Sequence, residues 1–213
     1  MGPIIGVVLA IWLIVVFLLG AAGAFARPAG ALPVPILIGA AAPLAVFLAA
    51  YWGSVRFRAF VRALNLPLAA AIQAWRAGGL GFLALYAYGV LPGVFAWPAG
   101  LGDVAIGVTA PWVVLALIRR RAFARSPVFV AWNLLGILDL VIAITTGALG
   151  SALASDTAGA VTTGPMAHLP LVLIPAYLVP LFVMLHLAAL FQARRHAPTE
   201  PQQVAIPVTA DMR

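Results

Sequence analysis

An arginine stands in the middle of an apolar run. The segment 66–91, LPLAAAIQAWRAGGLGFLALYAYGVL, has the length and character of a membrane-spanning helix, yet it carries Gln73 and Arg76 well inside its ends. At a rise of ~1.5 Å per residue Arg76 lies ~15 Å from the Leu66 end, about half-way through a hydrocarbon core of ~30 Å. A guanidinium cannot shed its proton to escape the cost of that position. Insertion scales charge a central arginine ~2.5 to 3.5 kcal/mol, so the side chain must face protein, water or a counter-charge. Something else in the chain has to answer it.

The rest of the chain is built to supply that answer from within a bilayer. It is 213 residues long, 65% hydrophobic and only 8% charged, with a mean hydropathy of +1.14, well outside the soluble range of about 25% charged residues. This is the composition of an all-α, polytopic integral membrane protein. The 20 glycines and 17 prolines fall inside apolar runs, where both are commoner than in soluble helices and serve packing and kinking. There is no cysteine, so disulfides, thiolate metal sites and cysteine nucleophiles are excluded. There is also no lysine, which removes Schiff-base chemistry with retinal or pyridoxal. The net charge of +7 comes from arginines that border apolar spans; they set orientation and do not form a nucleic-acid face.

Six spans are expected, at about 3–25, 33–55, 66–91, 98–118, 127–149 and 169–191, making one transmembrane domain over 1–195. Ala24-Phe25-Ala26 has the look of a signal-peptidase site, but a charged n-region is missing and the apolar run is too long, so the first helix is read as retained. Tyr51 and Trp52 suit the headgroup level, and the stretch 56–65, with Arg58, Arg62, Phe57 and Phe60, suits either a short surface helix or a charged loop. Pro92-Gly93 marks a tight turn with Phe95 and Trp97 at the opposite interface. The arginines that follow spans two, four and six (Arg56, Arg58 and Arg62; Arg119, Arg120, Arg121 and Arg125; Arg194 and Arg195) outnumber the lone Arg27 on the other side. The positive-inside rule then puts both termini in the cytoplasm, and the expected location is the inner membrane of a prokaryotic cell. The polar segment 196–213 reads as a disordered cytoplasmic tail.

One internal similarity bears on architecture. Ala96-Trp97, Gly100 and Asp103-Val-Ala-Ile-Gly-Val-Thr109 resemble Ala131-Trp132, Gly136 and Asp139-Leu-Val-Ile-Ala-Ile-Thr145 on the next, antiparallel helix. Inverted repeats of this kind place a binding site at the midplane in transporters; chance matching in a chain rich in Ala, Gly, Val and Ile gives the same picture.

Depth sorts the buried polar residues. Asp139 lies ~18 Å from the cytoplasmic edge of its span, level with Arg76 at ~15 Å. Asp103, ~7 to 8 Å from the outer edge, reaches Arg76 only if that side chain points outward along its helix. Gln73 and Asn133, at ~10 and ~9 Å from the cytoplasmic side, are expected to hydrogen-bond to each other. Ala74 with Gly78, and Asp103 with Gly107, would let backbones approach beside Arg76, making helices three, four and five the core. The six residues Arg76, Asp139, Asp103, Gln73, Asn133 and His186 are the candidate ligand or proton pathway. The alternative is a structural pin that fixes helix register.

His186 sits close to the cytoplasmic edge, where a snorkelling ring or a proton relay is expected. His168 and His186 share a helical face but stand ~27 Å apart, so they cannot sandwich one haem; a single-ligand haem on His186 is a faint alternative. No histidine or carboxylate pair has metal-ligand spacing, and no phosphate-binding, nucleophile-elbow or dinucleotide motif is present. No cofactor is implied, and an enzyme is the less favoured class. Two classes remain: a membrane protein that binds or passes a small ligand, ion or proton, and a non-catalytic subunit or assembly factor of a larger membrane complex. The lipid bilayer is the one partner implied, with a homo-oligomer or complex open. Two aspartates against one arginine leave a net negative site, which favours a proton or cation over an anion.

Overall fold

A computed structural model describes residues 2–28, 30–154 and 160–194. The expected tail 196–213, and Arg195 of the last arginine pair, lie outside the described residues. Among those described the fold is all-α, without a strand. Six helical segments are long and apolar enough to cross a membrane: Gly2–Ala21, Val34–Gly53, Leu66–Ala87, Gly93–Arg119, Pro127–Ala152 and Ile174–Ala193.

The first is α1 (Gly2–Ala21) and the second α2 (Val34–Gly53). Ser54 then accepts from the Phe57 amide and starts a short helix, α3 (Val55–Arg62), so the arginine-rich stretch is helical and not a plain loop. The aromatic pair before it is split. Trp52 is exposed, but Tyr51 is buried, stacked on Phe191 at 4.2 Å, and its hydroxyl accepts from Arg62 Nε at 3.3 Å. Asn65 caps α4 (Leu66–Ile72) by accepting from the Leu68 amide.

The third span is not one continuous α-helix to Leu91. It tightens into a 3₁₀ segment, Gln73–Gly79, and resumes as α5 (Leu80–Ala87), ending in a turn at Gly89 with φ +69°. A 3₁₀ stretch inside a helix marks strain or function, and here it carries Arg76. The fourth span, α6 (Gly93–Arg119), begins five residues before Pro98, which sits inside the helix; Phe95 is buried in the bundle while Trp97 stays exposed. A 3₁₀ turn, Arg121–Arg125, leads to α7 (Pro127–Ala152), whose start is capped by Ser126 on the Phe129 amide.

The last span starts late. Residues 164–167 form a 3₁₀ turn, and the membrane helix begins only at a π-helical turn, Ile174–Leu178, before α8 (Val179–Ala193). Pro175 and Pro180 lie in this stretch, and each removes an amide donor and widens the ladder. His168 therefore precedes the helix and does not share a face with His186.

Helices three to five were expected to form the core, but the sixth joins them: Phe182, Val183, His186, Ala188 and Ala189 of α8 are all buried. Phe129 and Trp132 of α7 pack with Ile106, Ala110 and Val113 of α6 and Ala189 of α8. On the opposite end of the bundle Phe82 and Phe95 meet edge to face at 5.3 Å. α1 is peripheral, with only Val16 and Gly20 buried.

Candidate functional site

The 3₁₀ segment and α6 come closer than side chains would allow. A Cβ on Gly107 would strike the backbone of Arg76 and Ala77, and one on Gly79 would stand 2.5 Å from Asp103 Cβ and 3.0 Å from the Gly100 carbonyl. Only glycine fits such an approach. The partner expected for this role on the third helix, Gly78, faces outward with nothing within 4 Å; the neighbouring Gly79 takes its place. Two more glycines make room for side chains: a Cβ on Gly102 would meet the Asp139 carboxylate, and one on Gly136 the His186 ring.

Arg76 fills the gap so created. It is 2% exposed. Its Nε donates to Asp103 Oδ1 at 2.6 Å and its Nη2 to Asp139 Oδ2, so one guanidinium bridges α6 and α7 through two carboxylates. Nη1 donates to the Gly136 carbonyl at 3.3 Å and lies 3.1 Å from His186 Nε2. Arginine has no acceptor, so Nε2 must be the unprotonated ring nitrogen and His186 the neutral Nδ1–H tautomer. His186 Nδ1 is 2.9 Å from Asn133 Oδ1, and Asn133 Nδ2 donates to the Phe129 carbonyl at 2.8 Å. Donation runs in one direction, from Arg76 through His186 and Asn133 to the backbone of α7. Trp132 closes this side, 5.4 Å from the His186 ring, and its Nε1 donates to Thr109 Oγ1 at 2.9 Å.

Five of the six candidate residues thus meet in one network. His186 corrects the expectation of a snorkelling edge residue: it is 1% exposed, and both ring nitrogens are engaged. A haem iron would find neither nitrogen free. Among the described residues no group of three His, Cys, Asp or Glu is placed as metal ligands. Gln73 corrects a second expectation, because it does not bond Asn133. Its Nε2 donates to the Phe182 carbonyl at 3.3 Å, and its Oε1 is the one buried side-chain polar atom without a hydrogen bond among the described residues. Gln73 and Asn133 do line the same gap, together with Leu66 and Phe129, but that gap is too narrow to hold water.

Charge and access then divide the site into two sides. With both carboxylates ionised, two of them against one guanidinium leave one negative charge uncompensated. The carboxylates are also the groups closest to open space, with side chains 13% exposed for Asp103 and 12% for Asp139, against none for Arg76. A cavity of about 100 Å³ runs to Asp103 from the end of the bundle that carries Arg27, Ser151, Thr163 and His168. A wider cleft of about 510 Å³ reaches Asp103 and Arg76 from the side, between the third and sixth spans. Asp103, Phe82 and Ile174 border both.

The fold and this buried ion cluster define a class, an α-helical protein with six apolar spans held around a central Arg–Asp network. Residues 33–194 match the family described as Domain of unknown function (DUF8737), and the chain belongs to it. No curated protein and no solved structure matches the chain.

Proposed function

We propose that this is a multi-pass inner-membrane protein of a prokaryotic cell that takes up a proton or a small monovalent cation at Asp103 and Asp139. The observation that carries the reading is the position of Asp103, bonded to Arg76 on one side and bordering both cavities on the other. Four of the five N–H groups of Arg76 are engaged within the protein, two of them by carboxylates, so it is a poor counter-charge for an anion. One bound proton neutralises the cluster, which removes a large electrostatic cost in a medium of low dielectric. Intramembrane carboxylates in contact with water are the usual elements of proton relays.

The two ends of the bundle support a direction for this uptake. Arg56, Arg58, Arg62, Arg119, Arg120, Arg121, Arg125 and Arg194 gather at one end and Arg27 stands at the other; the positive-inside rule assigns the first end, with both termini, to the cytoplasm. The cavity of Arg27 and His168 then opens outward, and the closed layer of Gln73, Asn133 and Phe129 faces inward. Such a protein loads its ion from outside and releases it when the inner layer parts. The second reading, a scaffold subunit of a larger membrane complex or homo-oligomer, draws on the two ion pairs of the buried Arg76.

Reconstitution in liposomes with an internal pH-sensitive dye separates the two. Under an imposed potential the wild-type protein should acidify or alkalinise the lumen faster than empty liposomes, and Asp103→Asn should abolish the difference. No flux above empty liposomes under any proton or monovalent cation gradient would leave only the scaffold.

A further inference from the structure

The lateral cleft differs in kind from the outward cavity. It opens on the flank of the bundle, where the third span turns Trp75, Gly78 and Gly81 toward the bilayer; Trp75 is 82% exposed. A Cβ built on Gly78 or Gly81 would touch nothing within 4 Å, so the mouth of the cleft is unobstructed. Its walls are apolar, from Trp75, Phe82, Leu85, Leu171 and Leu178, and its floor is the edge of the ion cluster, formed by Asp103 and Arg76. At about 510 Å³ it lies within the ~300 to 1,000 Å³ of sites that hold drug-sized ligands behind apolar walls and a few polar anchors.

A solute reaching this mouth must first dissolve in lipid, because the cleft opens at the depth of the hydrocarbon core. It must also match the edge of a cluster that carries one excess negative charge when both carboxylates are ionised, and Arg76, already facing two carboxylates, offers no net positive charge to an anionic head. We infer that the cleft is a docking site for a lipophilic amine in its ammonium form, with its hydrocarbon body against the walls and its N–H groups on the Asp103 carboxylate. The inference rests on the proposed function, since it assigns to the same excess charge a second cation that arrives from the bilayer. A charge-assisted hydrogen bond in such surroundings is stronger and shorter than a neutral one. The amine satisfies the charge that a proton would otherwise neutralise, so it competes with proton uptake.

The test compares dodecylamine, dodecanol and dodecanoate binding to the full-length protein in nanodiscs, read by quenching of tryptophan fluorescence with chain-brominated analogues. The brominated amine should quench at concentrations at least tenfold lower than the alcohol or the carboxylate, after correction for partitioning into protein-free discs. Asp103→Asn should erase that preference. Gly81→Leu, which adds its side chain to open space at the mouth, should weaken amine binding without lowering the thermal midpoint, and so separates blockage from misfolding. Equal quenching by all three amphiphiles, or an amine preference that survives Asp103→Asn, overturns the inference. Proton flux by the wild type in amine-free liposomes reports on the underlying reading by itself; flux without amine preference rejects the cleft alone.

Discussion

Arg76 has more partners than a single ion pair provides, and their unequal worth is testable. Removing the guanidinium strands two carboxylates in a site that holds little water, whereas removing one carboxylate leaves a neutral pair of opposite charges. Breaking a buried pair costs about 3 to 5 kcal/mol. Arg76→Gln should therefore lower the thermal midpoint in detergent more than either Asp103→Asn or Asp139→Asn, and Arg76→Gln with Asp139→Asn should cost less than the sum of the singles. Additive losses in that double-mutant cycle would show that the pair does not couple. The level match of Arg76 and Asp139 is legible in the sequence because depth along a helix follows from residue count alone. The azimuth is not. Gln73 and Asn133 stand at similar heights but make their bonds to Phe182 and to His186 and Phe129, and nothing in a linear sequence shows that the side chain bridging Arg76 to Asn133 comes from α8.

At the scale of elements, the glycines decide how close the third span and α6 can lie. Gly107→Ala should cost about 1 to 3 kcal/mol, because the added methyl meets backbone that has no flexible end to move away. Gly78→Ala should be neutral or stabilise by up to about 1 kcal/mol, since its Cβ enters open space and glycine is the weaker helix former. Chemical denaturation of the two variants side by side checks both signs, and a Gly78→Ala loss as large as that of Gly107→Ala would move the helix contact to the wrong face. The spans themselves are readable from length and hydropathy. The 3₁₀ tightening at Gln73–Gly79 is not, because no proline announces it, Gln73 and Arg76 fit an α-helix equally well, and the choice between Gly78 and Gly79 depends on the local pitch. The late start of the sixth span has a visible cause in Pro170 and Pro175, but prolines do not by themselves say where a membrane helix resumes.

For the whole molecule, the proposed orientation predicts that a reporter fused after Leu91 or at Gly164 reads as periplasmic and one after Arg121 as cytoplasmic. Opposite readings would invert the loading side and with it the direction assigned to Asp103. The arginine distribution that carries this prediction is legible without any structure, whereas the cavity that reaches Asp103 from one end and the tight layer of Gln73, Asn133 and Phe129 towards the other are properties of packing alone. The peripheral seat of α1 has a different consequence. Its twenty residues touch the bundle mainly through Trp12, whose ring lies 4.5 Å from that of Tyr177, the buried Val16, and Gly20, where a Cβ would stand 2.9 Å from Val172. The family match begins only at residue 33. Among the six spans this helix is therefore the freest to be exchanged, and a plain leucine–alanine helix that keeps Trp12, Val16 and Gly20 should serve in its place.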